Sequence, residues 1–204
     1  MTATVRQPGP VRGRLLDAAQ DTIEAAGWST VTMSRIADKV GVSRQTVYNE
    51  FGTKHGLAEQ LALRELDRFL GVVRERMATR TSIVEGIRAA CEGVLQMGEE
   101  SLLVRTIVGS LPEEHDTDFL KILTTESGEI VESAVLVVKQ CVVELYPPTP
   151  LTDAELDTAV EVVVRLVLSA ITRPSKSPVE AASDIAWIVG LALAGADAQA
   201  QPAS

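Results

Sequence analysis

The stretch from Thr32 to Lys54, TMSRIADKVGVSRQTVYNEFGTK, decides the fold of this chain. Its first half spaces apolar residues three and four apart, which predicts a short amphipathic helix that begins after a Thr32 or Ser34 cap. Gly41 ends that helix, because glycine enters the left-handed conformation of a helix C-terminus at no steric cost. Ser43 then caps a second helix. The stretch therefore predicts a helix-turn-helix unit.

The second helix of such a unit lies in the major groove of DNA and presents its N-terminal residues to base edges. Arg recognises guanine, Gln and Asn recognise adenine, and the methyl group of Thr contacts that of thymine. The residues of this helix with suitable chemistry are Ser43, Arg44, Gln45, Thr46, Tyr48 and Asn49. A helix pair of this kind also occurs in plain helical bundles, where such side chains form a solvated face.

Beyond this chemistry, the spacing of the stretch resembles the N-terminal signature of the TetR family of bacterial transcriptional regulators. The residues that carry the resemblance are Thr32, Ile36, Ala37, Gly41, Val42, Ser43, Tyr48, Phe51, Lys54 and Leu57. It covers residues 10–57, about a quarter of the chain. The resemblance implies that Tyr48 and Lys54 bind DNA phosphates and that Thr32 offers its hydroxyl and backbone N–H to another phosphate.

The rest of the chain follows the helical period, without strand alternation, and predicts an all-α fold. The expected helices are Val11–Ala26, Lys54–Ala78, Ile83–Met97, Leu102–Leu111, Asp118–Tyr146 with a break near Gly128, Asp153–Ile171 and Val179–Ala198. Thr152 and Glu155 form a capping box before the sixth of these. Glu65 is expected among the charges on the outer side of the long second helix.

Four regions are predicted along the chain. Residues 1–10 form a disordered N-terminal arm, rich in Pro, Gly and Thr. Residues 11–55 form a three-helix, helix-turn-helix DNA-binding domain. Residues 56–198 form a larger helical domain for ligand binding and dimerisation, as the resemblance implies, and residues 199–204 are a tail.

Charge is distributed unevenly between these regions. The whole chain has a net charge of −9, which opposes DNA binding. Residues 1–55, however, carry seven Lys or Arg against five Asp or Glu, and the negative charge lies in the remainder. Arg6, Arg12 and Arg14 are candidates for contacts with the minor groove or with phosphates.

The last two helices are too apolar for a solvated surface. Residues 159–171, AVEVVVRLVLSAI, are apolar on nearly every side, and residues 185–196, IAWIVGLALAGA, add small residues that permit close helix approach. The second run of about 12 residues is shorter than the roughly 20 of a membrane span. Residues 153–198 are therefore predicted to form a homodimer interface, and an internal core of a monomer is the alternative.

The middle of the chain is expected to enclose a ligand pocket, because the family resemblance implies one. Few aromatic residues are present, which favours a small hydrophobic, aliphatic effector over a planar one. The candidate ligand-binding residues are Leu70, Cys91, Val94, Leu95, Leu103, Ile107, Phe119, Leu123, Val138 and Cys141. Each is also a plausible core residue.

The sequence contains no motif of catalysis, metal binding or cofactor binding. The two cysteines and two histidines lack the spacing of a metal site, and no nucleophile elbow, phosphate-binding loop or dinucleotide fingerprint is present. Cys91 and Cys141 are expected to be buried reduced thiols, with redox sensing as the alternative. No signal peptide is recognised, so we expect a cytoplasmic protein that is not an enzyme and has no cofactor.

The function that these observations favour is a DNA-binding transcriptional regulator, a homodimeric repressor that a hydrophobic effector releases from a palindromic operator. Two alternatives remain at this stage. One is a helical lipid-binding or carrier protein without a role at DNA. The other is a DNA-binding regulator controlled by a protein partner.

Overall fold

The computed structural model describes residues 10–101, 104 and 128–200, and within these residues every regular element is helical. The helices are α1 (Pro10–Ala26), a 3₁₀ turn (Trp28–Thr30), α2 (Met33–Val40), α3 (Arg44–Phe51), α4 (Lys54–Ala78), α5 (Ile83–Glu100), α6 (Gly128–Leu145), α7 (Asp153–Thr172) and α8 (Pro178–Ala200). The all-α prediction is confirmed.

Local side-chain caps fix the helix-turn-helix. Thr32 Oγ1 accepts a hydrogen bond of 3.1 Å from the Arg35 N–H and begins α2, and Ser43 Oγ accepts one of 3.1 Å from the Thr46 N–H and begins α3. Between them Gly41 has φ 75° and ψ 37°, the left-handed conformation that ends α2. Its N–H donates to the Ala37 carbonyl at 2.9 Å. The chain therefore turns where the sequence predicts.

Most helix ends lie within a few residues of their predicted positions, with one instructive difference. Helix α5 continues to Glu100 instead of ending near Met97. Gly98 is buried inside the helix, and a Cβ added there would lie 3.4 Å from Ile171 of α7. The glycine thus permits close helix packing and does not end the helix. The helix predicted at 102–111 lies outside the described residues except for Val104.

A first hydrophobic core holds α1, α2, α3 and the start of α4 together. Its most completely buried members are Leu15, Ala19, Val31, Ile36, Val47, Leu57 and Ala58. Both helices of the helix-turn-helix thus rest on the same apolar base. The orientation of α3 is fixed by packing, because Val47 and Phe51 face this core while the polar residues between them face outward.

A second hydrophobic core fills the larger helical part, between α4, α5, α6, α7 and α8. Tyr146 donates a buried hydrogen bond of 2.6 Å from its hydroxyl to the Met77 carbonyl, which ties the end of α6 to the end of α4. The predicted capping box begins α7, since the Thr152 N–H donates to Glu155 at 2.8 Å and the Glu155 N–H donates back to Thr152 at 3.4 Å.

The two cores meet along α4. Leu66 of α4 and Leu168 of α7 pack against both cores, and Ile130 of α6 is buried in the first. Arg64 adds a polar link to α1, because its guanidinium donates to Asp17 Oδ1 at 2.6 Å, to the Leu16 carbonyl at 3.3 Å and to the Gln20 side chain. Helix α4 is therefore held on both sides.

The structure corrects the placement of Glu65. This residue was expected on the charged outer side of α4, yet it is buried, with its side chain 8% exposed. It lies four residues from Leu61 and four from Phe69, so it occupies a position in the apolar stripe of the helix.

The boundary predicted at residue 55 stays a prediction, and the first core extends past it to Ala62. The predicted N-terminal arm lies outside the described residues except for Pro10, as does most of the tail at 199–204.

Gly41→Ala should destabilise the fold by about 1 kcal/mol, because a Cβ in the left-handed conformation is strained. No atom lies within 4 Å of the added Cβ, so the cost is conformational. Gly13→Ala, in α1 of the same unit and also free of contacts within 4 Å, should instead stabilise by a similar amount. Urea unfolding followed by circular dichroism measures both, and equal effects of the two substitutions would contradict this account.

Candidate nucleic-acid interface and apolar cavity

The outer face of α3 carries a row of exposed polar side chains that pair with one another. Arg44 lies 5.6 Å from the centroid of the Tyr48 ring and donates to its hydroxyl at 3.4 Å. Gln45 donates from Nε2 to Asn49 Oδ1 at 2.9 Å. Each pair is one helical turn apart, so both run along the face of α3 that the first core leaves free. The four predicted base-contacting side chains therefore stand together.

Thr32, Ser43 and Thr46 stand at the helix N-termini beside this face. The Thr32 hydroxyl accepts the capping hydrogen bond of α2, which leaves its own O–H free to donate to an anion. Ser43 and Thr46 share a hydrogen bond of 2.9 Å between their hydroxyls, and Thr46 is only half-exposed. Their first function in this structure is to form the start of α3.

Lys54 occupies a more enclosed place than the other candidates. Its ammonium lies 4.5 Å from the centroid of the Trp28 ring and donates to the Trp28 carbonyl at 3.2 Å. A phosphate contact through Lys54 therefore has to share or replace this interaction.

Arg12 supports α3 from behind. Its guanidinium donates to the Glu50 carbonyl at 2.9 Å and lies 5.1 Å from the centroid of the Phe51 ring. A cation at the C-terminal end of a helix is favourable, because the last carbonyls carry partial negative charge. The side chain that was a candidate for reaching DNA is thus engaged with the end of α3.

An apolar cavity of about 130 Å³ lies between α4, α5, α6 and α7. Its described lining is Ala62, Glu65, Leu66, Phe69, Leu70, Val73, Met77, Ile87, Ala90, Cys91, Val94, Val104, Ile130, Ala134, Val138, Val163, Val164, Val167, Leu168 and Ile171. Glu65 is the one carboxylate among these residues, and none of them is Lys, Arg or His. Since Leu66, Ile130 and Leu168 also pack in the first core, the cavity adjoins the base of the helix-turn-helix.

The predicted ligand-binding residues separate into three groups. Leu70, Cys91, Val94 and Val138 line this cavity. Leu95 lines a neighbouring groove near the end of α5, and Cys141 is buried in the second core without lining either space. The others, Leu103, Ile107, Phe119 and Leu123, lie outside the described residues.

Sequence reasoning missed the contribution of α7 and of Glu65 to this cavity. Helix α7 was assigned entirely to a subunit interface, yet its Val163, Val164, Val167 and Leu168 line the cavity. A helix that is apolar on nearly every side has two faces to cover, and that property was the available signal. For Glu65 the signal was its spacing from Leu61 and Phe69.

Burial controls the chemistry of the two cysteines. Desolvation raises the pKa of the Cys91 thiol to about 12, so the thiol stays protonated at neutral pH. Burial also raises the pKa of Cys141, against a smaller opposing effect of Arg74. Since the thiolate is the reactive form, the structure disfavours redox sensing by either residue.

A broad apolar surface remains exposed on α7 and α8. Val162 and Leu166 of α7 are exposed, and so are Trp187, Ile188 and Leu191 of α8. Trp187 has the largest exposed fraction of these, at 66%. Among the described helices α8 alone has the length and hydropathy of a membrane span, with a mean hydropathy of 1.5 over residues 178–199, and one such helix is weak evidence.

Comparison with protein families assigns most of the chain. Residues 15–61 match the family described as bacterial regulatory proteins, tetR family. Residues 83–190 match the C-terminal domain of bacterial tetracycline repressors. The two matches cover the helix-turn-helix and most of the larger helical part.

Individual relatives agree with this assignment. The chain is 30% identical over 179 residues to the HTH-type transcriptional regulator AlkX of Mycobacterium tuberculosis, covering 88% of this chain and 83% of that protein. The HTH-type transcriptional activator FasR of Mycolicibacterium smegmatis is 35% identical over 81 residues, 40% of this chain and 37% of FasR. The crystal structure of the TetR family repressor AlkX from a Dietzia species, implicated in biodegradation of n-alkanes, superposes with a TM-score of 0.74 at 28% identity, covering 90% of this chain and 97% of that one.

Cys91 should resist thiol reagents in the folded protein, because a pKa of about 12 leaves almost no thiolate at pH 8. In a Cys141→Ser variant, which keeps Cys91 as its single cysteine, labelling by iodoacetamide should be at least about a hundredfold slower in buffer than in 6 M urea. Mass spectrometry measures the labelled fraction. Complete labelling of the native variant within minutes would contradict the burial of this thiol.

Proposed function

Because this chain belongs to the TetR family of bacterial DNA-binding transcriptional regulators, we propose that it is a homodimeric repressor released from a palindromic operator by a small hydrophobic effector. The observation that carries the proposal is the apolar cavity whose wall shares Leu66, Ile130 and Leu168 with the core beneath the helix-turn-helix. Membership of this family removes the alternative of a carrier protein without a role at DNA.

In the proposed complex α3 enters the major groove. Arg44 and Gln45 exchange their contacts with Tyr48 and Asn49 for base edges, guanine for Arg and adenine for Gln or Asn. The other proposed contacts to DNA come from Thr32, Ser43, Thr46 and Lys54. Most of them reach phosphates, which position the protein without reading sequence.

The proposed dimer covers the exposed apolar surface of α7 and α8. A surface with Val162, Leu166, Trp187, Ile188 and Leu191 in solvent favours association, because burying apolar area is stabilising. Pairing each helix with its symmetry mate forms a four-helix bundle. A twofold dimer then presents two copies of α3, and a palindromic operator matches this symmetry.

Release follows from the position of α4. An effector that enlarges the cavity displaces Leu66 and Glu65 on one side of α4, and the neighbouring Arg64 transmits the movement to α1 through Asp17 and Gln20. The two copies of α3 then no longer match the spacing of the half-sites. The effector acts by binding this conformation more tightly than the DNA-bound one.

Repression is the direction of control that the relatives favour. The Dietzia relative, which aligns with nearly all of the chain, is described as a repressor, whereas the activator FasR aligns over 81 residues. A reporter gene placed behind the selected operator tests the direction, since deletion of the regulator should raise its expression.

The proposal is tested by selection of random duplex DNA with the purified protein across a salt series. A palindromic motif should emerge, with affinity that falls as salt rises, because phosphate contacts release counterions. Aliphatic compounds are then screened for release of the selected duplex. If binding survives every compound while no compound raises the melting temperature, control by a protein partner replaces control by an effector.

Arg44→Ala should weaken binding to the selected operator by about ten- to a hundredfold, because a bidentate contact to guanine contributes about 1–3 kcal/mol. Arg88→Ala is the matched control. It removes the same charge from an exposed residue of α5, far along the chain from α3, and should bind like the wild type. Fluorescence anisotropy with a labelled operator measures both, and equal losses would contradict the role of α3.

Trp187→Glu should convert the dimer to a monomer, because a carboxylate at the centre of an apolar interface loses its hydration without a partner. Sedimentation equilibrium should give about 21.8 kDa for the variant and twice that mass for the wild type. Val143→Glu, on an exposed residue of α6 that is 52% accessible, is the control and should stay dimeric. A monomeric wild type would contradict the proposed interface.

A further inference from the structure

The wall of the cavity is apolar except at one point, where the side chain of Glu65 forms part of it. This carboxylate is enclosed, with the side chain 8% exposed, whereas acidic residues in proteins are mostly at the surface. Burial of a carboxylate costs free energy unless it is paired and hydrogen-bonded. Its place in an otherwise hydrocarbon wall therefore asks for a chemical reason.

Two protein groups hold the carboxylate of Glu65. Ser101, at the end of α5, donates from its hydroxyl to Oε1 at 2.6 Å. Arg68, one turn along α4 and 57% exposed, donates to Oε2 at 2.8 Å. Arg68 balances the negative charge from the solvent side. A carboxylate has about four lone-pair directions, so these two donors leave it able to accept a further hydrogen bond.

The position of Glu65 gives the cavity a polar end. Lining residues of α4 run from Ala62 to Met77, which spans about 22 Å along the helix axis at 1.5 Å per residue. Glu65 lies near the end that adjoins the helix-turn-helix, and the described residues toward Met77 are apolar. An elongated molecule with one polar end fits this distribution.

We propose that the cavity binds an uncharged aliphatic molecule with a hydrogen-bond donor at one end, such as a long-chain primary alcohol, and that Glu65 accepts the hydrogen bond of that donor. This inference rests on the proposed function, because it names the effector class of the same cavity.

Charge and hydrogen bonding rank the competing head groups. A ligand carboxylate placed beside Glu65 meets a like charge in a cavity with no Lys, Arg or His in its described lining. An ether or an alkane offers no donor, so it gains only the burial of its chain. A hydroxyl gains a hydrogen bond to an ionised acceptor, which is stronger than one to a neutral acceptor.

The first test uses the wild-type dimer and three probes with chains of similar length: decan-1-ol, its isomer 1-methoxynonane and decanoate, at pH 8. Equilibrium dialysis measures binding. We expect decan-1-ol to bind at least about tenfold more tightly than either of the others. Equal or tighter binding of the ether or of decanoate overturns the head-group inference and leaves the hydrophobic effector standing. If none of the three binds, the proposed effector class fails together with the inference.

Variants identify the residue responsible. Glu65→Gln removes the charge and should reduce both the affinity for decan-1-ol and its advantage over decanoate by about tenfold. Glu92→Gln, the same change on a half-exposed residue of α5 outside the cavity lining, is the control and should keep the wild-type ranking. Ser101→Ala removes a competing donor and should retain or strengthen alcohol binding. An unchanged ranking in Glu65→Gln overturns the assignment to Glu65, and if that variant does not fold, the wild-type series still decides.

Discussion

Leu66 and Leu168 pack against both hydrophobic cores, and the rest of the structure depends on this shared packing. A protein interior is close-packed, so a displacement of these side chains cannot be absorbed locally. Ile130 extends the shared region, because it is buried in the first core while it lines the cavity. The cavity and the base of α3 are therefore two sides of one packed layer, and α4 is the element that belongs to both.

The parts of the fold that sequence predicted well are those decided by neighbouring residues. Thr32, Gly41 and Ser43 determine the ends of α2 and α3 through hydrogen bonds and backbone conformation within a few positions. The capping box at Thr152 and Glu155 is local in the same way. The family signature resides in this local region, which is why one sequence was enough to recognise it.

The parts that sequence could not predict depend on which helix lies opposite. Gly98 resembles a stop signal, but it lies within α5 because α7 approaches there. Glu65 resembles a surface charge until Ser101 and Arg68, brought from a neighbouring helix and the next turn, are seen to satisfy it. Helix α7 serves the cavity with one face and leaves another exposed, a division that its composition does not specify.

The pairing of side chains along α3 has a consequence for how errors are rejected. Arg44 is bound to Tyr48 and Gln45 to Asn49 before any DNA arrives, so these groups have internal partners to lose. A sequence that supplies equivalent partners makes the exchange nearly neutral, whereas an incorrect sequence leaves the opened groups unsatisfied. Discrimination between sites then comes from the penalty at wrong sequences as much as from attraction at the right one. The free protein in effect carries its own reference state, against which each base pair is compared.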